Sequence, residues 1–202
     1  MTSKGELAKL AAAHRPLAES VRRLIDATIR TQVGAATLAA AKEKIDCATE
    51  ELSATLMPVS FGVRQTDDGQ SMAWGNVVIG LRNPVAPPLA INHEASGLVW
   101  TEFTLGAAYE GPPGHVHGGV CAMILDHVLG ATAHKPGRPA VTGTLSVRYL
   151  RGTPLGPLHA EAHVDRVEGV KTFASGHIAD AQGITVQAEG VFVHPRNRGT
   201  NS

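Results

Sequence analysis

The chain has 202 residues, of which 43% are hydrophobic and 18% are charged, and its 18 basic side chains balance 18 acidic ones. This composition is typical of a globular protein with a buried core and excludes a disordered chain. The balanced charge offers no basic surface for nucleic acid, and Cys47 and Cys121 form no CxxC motif. No apolar segment has the length of a signal-peptide core or a membrane span, so we expect a cytoplasmic protein with no membrane-spanning segment.

Residues 1–57 are predicted to form an N-terminal helical extension. They are rich in Ala, Leu, Glu, Lys and Arg, and apolar residues recur at steps of three and four on both sides of Gly34. This pattern predicts two helices joined near Gly34, which pack on the rest of the chain or on a second copy; a partner-binding seam is the alternative. Residues 58–95 contain turn-formers at 67–70 and 83–89, and we predict a connecting segment with short extended pieces.

From residue 96 the sequence has the pattern of strands with one helix among them. Strands are predicted at 96–105, from 141 onward, at 157–180 with a turn or bulge at 167–170, and at 184–195. The connections are too short for parallel crossovers, so the sheet is antiparallel and the fold class is α+β. Residues 96–195 form the predicted main domain, and 196–202 a disordered tail. In the strand from 141, alternation puts Val141, Gly143, Leu145 and Val147 on one face and Thr142, Thr144, Ser146 and Arg148 on the other.

The single helix of this domain is predicted to begin near His117 or Gly118, after the loop-forming Pro112-Pro113-Gly114. It is apolar on all sides, which is typical of a buried helix. The first N–H groups of a helix have no partner within it, and Gly118 and Gly119 would let a ligand oxygen approach them closely. Such a site can polarise a carbonyl group. A phosphate loop is disfavoured because no Lys-Ser/Thr follows the glycines.

Asp126 is the only acidic residue between 111 and 134. A carboxylate in a buried helix is usually paired, exposed or used in catalysis, because burying it alone costs several kcal/mol. Two interpretations stay open. Asp126 is a general base or nucleophile, or it is a structural residue bonded to Thr142 or Thr144 or paired with Arg148.

The spacing of Gly118 and Asp126 predicts an assembly. Eight helical residues separate them by about 12 Å, so one chain cannot bring both to one carbonyl group. If both serve the same substrate, two copies of the helix lie side by side and each lends its N-terminus to the other's Asp126. This predicts a homodimer with two sites at the subunit interface.

Other motifs in this stretch are weaker. His115 and His117 form an HxH pair, but no third ligand follows at the spacing of a metal motif, so no metal site is predicted. We expect His117 to tether the loop and His115 to lie at the surface or the mouth of the site. A Ser-His-Asp hydrolase is disfavoured because there is no G-x-S-x-G motif, and Cys121 is interpreted as a small core residue rather than a nucleophile.

GPPGHVHGG at 111–119, the placed Asp126 and VTGTLSVRYLRGTPLG at 141–156 resemble the hotdog-fold acyl-CoA thioesterases of the 4-hydroxybenzoyl-CoA thioesterase superfamily. Within it, the sequence is similar to the subgroup that includes the phenylacetate-pathway thioesterase. The resemblance covers roughly residues 96–195 and leaves the N-terminal helices outside. It implies a curved antiparallel sheet wrapped around a central helix, paired into dimers and often into dimers of dimers.

The resemblance also implies residue roles. Gly118 would supply the N–H that polarises the thioester carbonyl, Asp126 of the opposing subunit would be nucleophile or base, and Thr142 would hold the attacking water. The sequence departs from the family at Gly111, where related enzymes often place Asn or another polar residue. No metal or organic cofactor is expected, since coenzyme A enters as part of the substrate. The expected substrate-binding residues are His117, Gly119, His115 and Arg148, and the candidates for contacting the CoA phosphates are Arg148, Arg151, Lys135 and Arg138.

The resulting hypothesis is a cytoplasmic acyl-CoA thioesterase of lipid metabolism. Two alternatives remain. One is a non-catalytic acyl-CoA-binding or scaffold protein whose N-terminal helices recruit a partner. The other is a hotdog enoyl-CoA hydratase, which would need a His beside the Asp at the acyl α- and β-carbons.

Overall fold

The computed structural model describes residues 4–65, 67, 71–87, 89–134 and 139–195. It divides into two compact units, Met1–Ala86 and Pro87–Ser202, and the division falls inside the connecting segment predicted at 58–95. The predicted tail at 196–202 and the phosphate-ligand candidates Lys135 and Arg138 lie outside the described residues. In the part of the chain that is described, no helix is both long enough and apolar enough to cross a bilayer.

The first unit contains two helices, α1 (Lys4–Arg30) and α2 (Ala35–Ser53), and a two-stranded antiparallel ribbon of β1 (Arg64–Gln65) and β2 (Ser71–Met72). Extended backbone at Gly34 precedes α2, which confirms two helices joined at this position. Ala18 of α1 is buried. The rings of His14 and Trp74 make a T-shaped contact with their centroids 6.4 Å apart, and the Phe61 ring stacks on Trp74 with a centroid distance of 6.0 Å. Helix α2 buries none of its residues.

The second unit is a six-stranded antiparallel sheet with one long helix, α3 (Gly118–Ala133). The sheet order is β3-β4-β6-β7-β8-β5. Gly169, at φ 59°, makes the turn between β6 and β7, which confirms the turn predicted at 167–170. This antiparallel sheet with a single long helix confirms the α+β prediction. The strands are β3 (Asn92–His93), β4 (Val99–Leu105), β5 (Val141–Tyr149), β6 (Gly156–Glu168), β7 (Lys171–Asp180) and β8 (Gly183–Val193).

Helix α3 packs on one face of this sheet and forms the centre of the core. The alternation predicted for 157–180 explains why: Ala160 and Ala162 are buried, whereas His159 and Glu161, on the other face, are partly exposed. Small residues pair across β6, β7 and β8 as Ala162, Gly176 and Ala188, which lets the helix approach closely. The buried residues of α3 are Cys121, Ile124, Leu125, Val128, Leu129 and Ala133.

The predicted alternation of β5 is wrong at its start. The register shifts between Thr142 and Thr144, so Gly143 forms a bulge. Thr142 then lies opposite Phe192, a core residue on the helix-facing side of β8, whereas Thr144 lies opposite Val191 on the other side. Thr142 and Thr144 therefore occupy opposite faces rather than one. The extra residue turns the Thr142 hydroxyl toward α3.

Gly176 lies where the sheet and α3 pack closely together. A Cβ there would lie 2.4 Å from the Glu161 carbonyl oxygen and 2.8 Å from Leu129 Cδ1. Because backbone cannot yield as a flexible side chain can, we expect Gly176→Ala to lower the free energy of unfolding by about 1–3 kcal/mol. Urea denaturation measures this. Gly5→Ala, where the added Cβ meets nothing within 4 Å, is the control; equal stability of the Gly176 variant and the wild type would contradict the packing described.

Candidate active site

Helix α3 begins at a histidine cap. His117 has extended backbone, φ −60° and ψ 132°, and its Nδ1 accepts a hydrogen bond from the Gly119 N–H at 3.0 Å. A side-chain acceptor at this position satisfies one of the helix's unpaired donors. The predicted start of the helix and the loop-tethering interpretation of His117 both agree with this contact. Gly119, expected to bind substrate, has its N–H engaged by the cap.

The loop before the helix is a tight turn that brings Gly111 against His117. The Gly111 N–H donates to the His115 carbonyl, and the His117 N–H donates to the Tyr109 carbonyl, both at 2.9 Å. A Cβ on residue 111 would lie 2.7 Å from the His117 Cα. The departure from the family at Gly111 thus has a physical reason here, because the backbones approach too closely for a side chain.

The N–H of Gly118 differs from that of Gly119, since no described residue accepts a hydrogen bond from it. It lies at the positive end of the helix dipole, where a carbonyl oxygen developing negative charge is stabilised. The Tyr149 hydroxyl donates to the Gly118 carbonyl at 2.8 Å. Its ring would lie 3.2–3.3 Å from a Cβ on residue 118, so only glycine leaves this space open.

Gly118 lines a cleft of about 480 Å³. Part of its wall is fixed by Arg151, whose guanidinium donates to both carboxylate oxygens of Asp180, at 2.8 and 2.5 Å, and to the Gly183 carbonyl. The hydrogen bonds from Arg151 lower the pKa of Asp180 to about 2, so this pair is ionised at neutral pH. The cleft is lined by Pro112, His115, Val116, Gly118, Cys121, Tyr149, Arg151, Gly152 and Thr153.

The floor of the cleft holds a buried chain of hydrogen bonds. The Cys121 thiol contacts the Thr153 hydroxyl at 3.7 Å, Thr153 donates to Thr185 at 2.8 Å, and Thr185 donates to the Ile178 carbonyl at 3.1 Å. Burial raises the pKa of the Cys121 thiol, so it is protonated at neutral pH. This agrees with its interpretation as a core residue rather than a nucleophile.

Asp126 lies on α3 away from this cleft, and it is half-buried rather than enclosed. Its Oδ1 accepts a hydrogen bond from the Thr142 hydroxyl at 2.8 Å, which the Gly143 bulge makes possible. Of the structural partners considered from the sequence, Thr142 is the one that bonds to it. A hydrogen bond of this kind fixes one carboxylate oxygen and leaves the second for other contacts.

The structure brings some predicted site residues together and keeps others apart. Asp126 and Thr142 form one group, and Gly118, His117 and His115 form another at the cleft. Because α3 runs without interruption from Gly118 to Ala133, the two groups are two helical turns apart within one chain.

Arg148, which the sequence predicted to bind substrate, lies away from both groups. It is paired with Gln187 on the sheet face opposite α3, and it does not line the cleft. Tyr149 and Thr153, which do line it, were missed by the sequence analysis. For Tyr149 a signal existed, since it continues the alternation of Leu145 and Val147 along the strand predicted from residue 141. Among the described residues, no cluster of three or more His, Cys, Asp or Glu side chains could hold a metal ion.

Comparison with known proteins places this arrangement in a family. A profile described as Thioesterase superfamily matches residues 113–187, which include Gly118, Asp126 and Thr142. A crystal structure of a thioesterase superfamily protein is 36% identical, covers 89% of this chain and 94% of its own, and superposes with a TM-score of 0.79. The chain belongs to the thioesterase superfamily. That match covers more of the chain than the second unit contains, so it includes part of the N-terminal unit.

Two further relatives match about half of the chain. The human acyl-coenzyme A thioesterase THEM5 is 32% identical over 94 residues, which is 45% of this chain but only 38% of THEM5. The E. coli PaaI protein, from the phenylacetic acid degradation operon, is 19% identical, covers 54% of this chain and 80% of its own, and has a TM-score of 0.50; it shares the fold. The resemblance to hotdog thioesterases drawn from the sequence is thus confirmed.

The His117 cap gives a testable consequence for the site. We expect His117→Ala to lower the free energy of unfolding by about 0.5–2 kcal/mol, because the Gly119 N–H loses its acceptor. His117→Asn, which places an amide oxygen at the cap, should recover most of the loss. Thermal and urea unfolding of the three proteins measures the effect. Equal losses for Ala and Asn would show that the imidazole contributes by packing rather than by capping.

Proposed function

We propose that this protein is an acyl-CoA thioesterase that hydrolyses its substrate to a free acid and coenzyme A. The observation that carries the proposal is the pair of groups on α3: an unpartnered Gly118 N–H in a cleft and a half-buried Asp126 carboxylate held by Thr142. A thioester needs one polarising donor and one activated nucleophile, and these two groups supply them. The family membership and the similarity to THEM5 support the same reaction.

The proposed chemistry starts with the thioester carbonyl oxygen on the Gly118 N–H. As base, Asp126 takes a proton from water while the water oxygen bonds to the carbonyl carbon; the C–S bond then breaks and the thiolate leaves with the proton that Asp126 took. As nucleophile, the carboxylate instead attacks the carbon directly and expels the CoA thiolate as the C–S bond breaks, and water then hydrolyses the resulting anhydride to the free acid and the Asp126 carboxylate. In both routes Thr142 orients the carboxylate, and a hydrogen bond to one oxygen leaves the other free to react. No metal or organic cofactor takes part in the proposed reaction.

The proposal places Gly118 and Asp126 of one active site on two different chains. Strand β5 supports this, because it lies at the end of the sheet and, among the described strands, pairs only with β8. It is nine residues long with one charged side chain, and Val141 and Tyr149 at its ends are 54% and 52% exposed. Such an edge is rarely left unpaired. Pairing β5 with its copy in a second chain extends the sheet and sets two α3 helices side by side.

The acyl group would enter the cleft at Gly118, whose lining is mainly apolar; its polar side-chain groups are those of His115 and Arg151 and the hydroxyls of Tyr149 and Thr153. We propose no single acyl chain. The guanidinium of Arg151 is held by Asp180, so a CoA phosphate would have to compete with an existing ion pair for it. We propose a cytoplasmic role in acyl-CoA turnover, with a homodimer as the active unit and a dimer of dimers as the larger assembly.

The reaction is tested by free-thiol release from a panel of acyl-CoAs, from acetyl to palmitoyl with phenylacetyl and benzoyl. We expect Asp126→Asn to reduce kcat by about 10²–10⁴-fold, because the amide neither takes a proton nor attacks the carbonyl. Glu189→Gln, at an exposed carboxylate of β8 that is not part of the cleft, is the control and should keep most activity.

Turnover by the Asp126→Asn protein at the wild-type rate would contradict the mechanism. Acyl-CoA binding without thiol release by the wild type would overturn the thioesterase proposal and favour the acyl-CoA-binding alternative.

A further inference from the structure

Helix α2 is an amphipathic helix with no buried residue. It is 19 residues long, and every one of its residues is exposed. Most helices in proteins owe their stability to an apolar face packed on a partner rather than to the intrinsic helix propensity of their residues. We therefore expect another part of the protein or a second chain to pack on the apolar face of α2.

That face has the spacing of a coiled coil. Apolar residues recur in steps of three and four, and the large ones are spaced by seven. Leu38, Ile45 and Leu52 are 47%, 38% and 53% exposed. The positions between them hold alanine. We call this face the α2 seam; its residues are Leu38, Ala41, Ile45, Ala48 and Leu52.

We propose that the α2 seam pairs antiparallel with the α2 seam of a second copy of this chain. Antiparallel pairing about a two-fold axis between positions 46 and 47 sets Ile45 against Ala48 of the other chain, and Ala41 against Leu52; Leu38 of each chain lies outside these four layers. Every layer then joins one large and one small side chain, so the helices approach closely and evenly. Parallel pairing would instead stack large on large and alanine on alanine.

Charges flanking the seam select the same register. Lys44 and Glu51 follow the same edge of the helix seven residues apart. In the proposed register Lys44 of each chain faces Glu51 of the other, which gives two opposite-charge pairs. Sliding the helices by one heptad in one direction sets Lys44 against Lys44 and Lys42 against Lys42. Sliding them in the other direction sets Glu51 against Glu51.

Pairing of α2 with α1 is disfavoured because it brings like charges together. Helix α1 carries Leu10, Leu17 and Leu24 with the same spacing of seven. In an antiparallel hairpin, the leucines of α1 would pack against the alanines of the α2 seam. This arrangement would set Arg23 opposite Lys44, and the two positive charges would repel each other. A second copy of α2 is therefore the better partner. Four layers make a short coiled coil, so this contact adds to the association of chains by the sheet edge rather than replacing it.

Disulfide trapping in the full-length chain tests the contact. In a Cys47→Ser background, we combine Lys44→Cys with Glu51→Cys and oxidise mildly. The two new thiols are two turns apart on one helix, about 10 Å, which is too far for a bond within the chain. We expect a reducible covalent dimer, formed about tenfold more than by the control, because the pairing holds the thiols together.

The matched control combines Glu43→Cys with Glu50→Cys in the same background, which gives the same spacing on the side of α2 away from the seam. Equal cross-linking of the two proteins, or none of the Lys44/Glu51 protein, would overturn the proposal. Efficient cross-linking by Lys44→Cys alone would overturn the register, since it requires Lys44 to face itself. None of these outcomes depends on thiol release from acyl-CoA, so they separate this contact from the proposed activity.

Charge reversal provides an independent measurement by sedimentation. Lys44→Glu faces Glu51 of the other chain and should weaken association of the chains. Lys44→Glu combined with Glu51→Lys restores opposite charges and should recover it. Failure of the double variant to recover association lost in the single variant would contradict the proposed pairing.

Discussion

The packing of helix α3 against the sheet is the constraint from which the geometry of the site follows. Gly176, together with Ala162 and Ala188, removes side chains from the middle of the helix-facing surface, and Leu129 fills the space. The helix therefore packs closely on the sheet, and its two candidate functional positions, Gly118 and Asp126, have a fixed separation. No local adjustment of the chain can bring the Gly118 N–H and the Asp126 carboxylate to one atom, because an α-helix rises about 1.5 Å per residue.

The N-terminus of α3 and the Asp126 position in its middle are held by different contacts. At the N-terminus, His117 accepts the Gly119 N–H, no described residue accepts the Gly118 N–H, and the Tyr149 hydroxyl donates to the Gly118 carbonyl. Further along, the bulge at Gly143 turns Thr142 onto Asp126. Both groups contact the same edge strand, β5. A second chain added at that edge would meet both groups at once, which is why the proposed dimer and the proposed chemistry depend on each other.

Much of this arrangement follows from local sequence signals. Turn-forming residues and a His-Gly-Gly step mark the start of α3, and period-two alternation separates the buried Ala160 from the exposed His159. The features that the sequence did not predict depend on tertiary contacts. Strict alternation cannot show that Gly143 adds a residue to the strand, so Thr142 and Thr144 were placed on one face. The cleft residues Tyr149 and Thr153 are distant in sequence from Gly118, and only the fold brings them to it. The apolar spacing of α2 was visible, but the absence of any burial along it was not.

The sharing of each site between two chains is tested most directly by a mixed dimer. One chain carries Asp126→Ala and the other Gly118→Val, each with a different affinity tag, and the heterodimer is isolated through both tags. Each parent is expected to be inactive. In the heterodimer the intact Gly118 of one chain meets the intact Asp126 of the other, so one of two sites is restored and about half of the wild-type thioesterase rate should return. A heterodimer as inactive as its parents would contradict the account, because it would mean that each chain builds its site from its own residues.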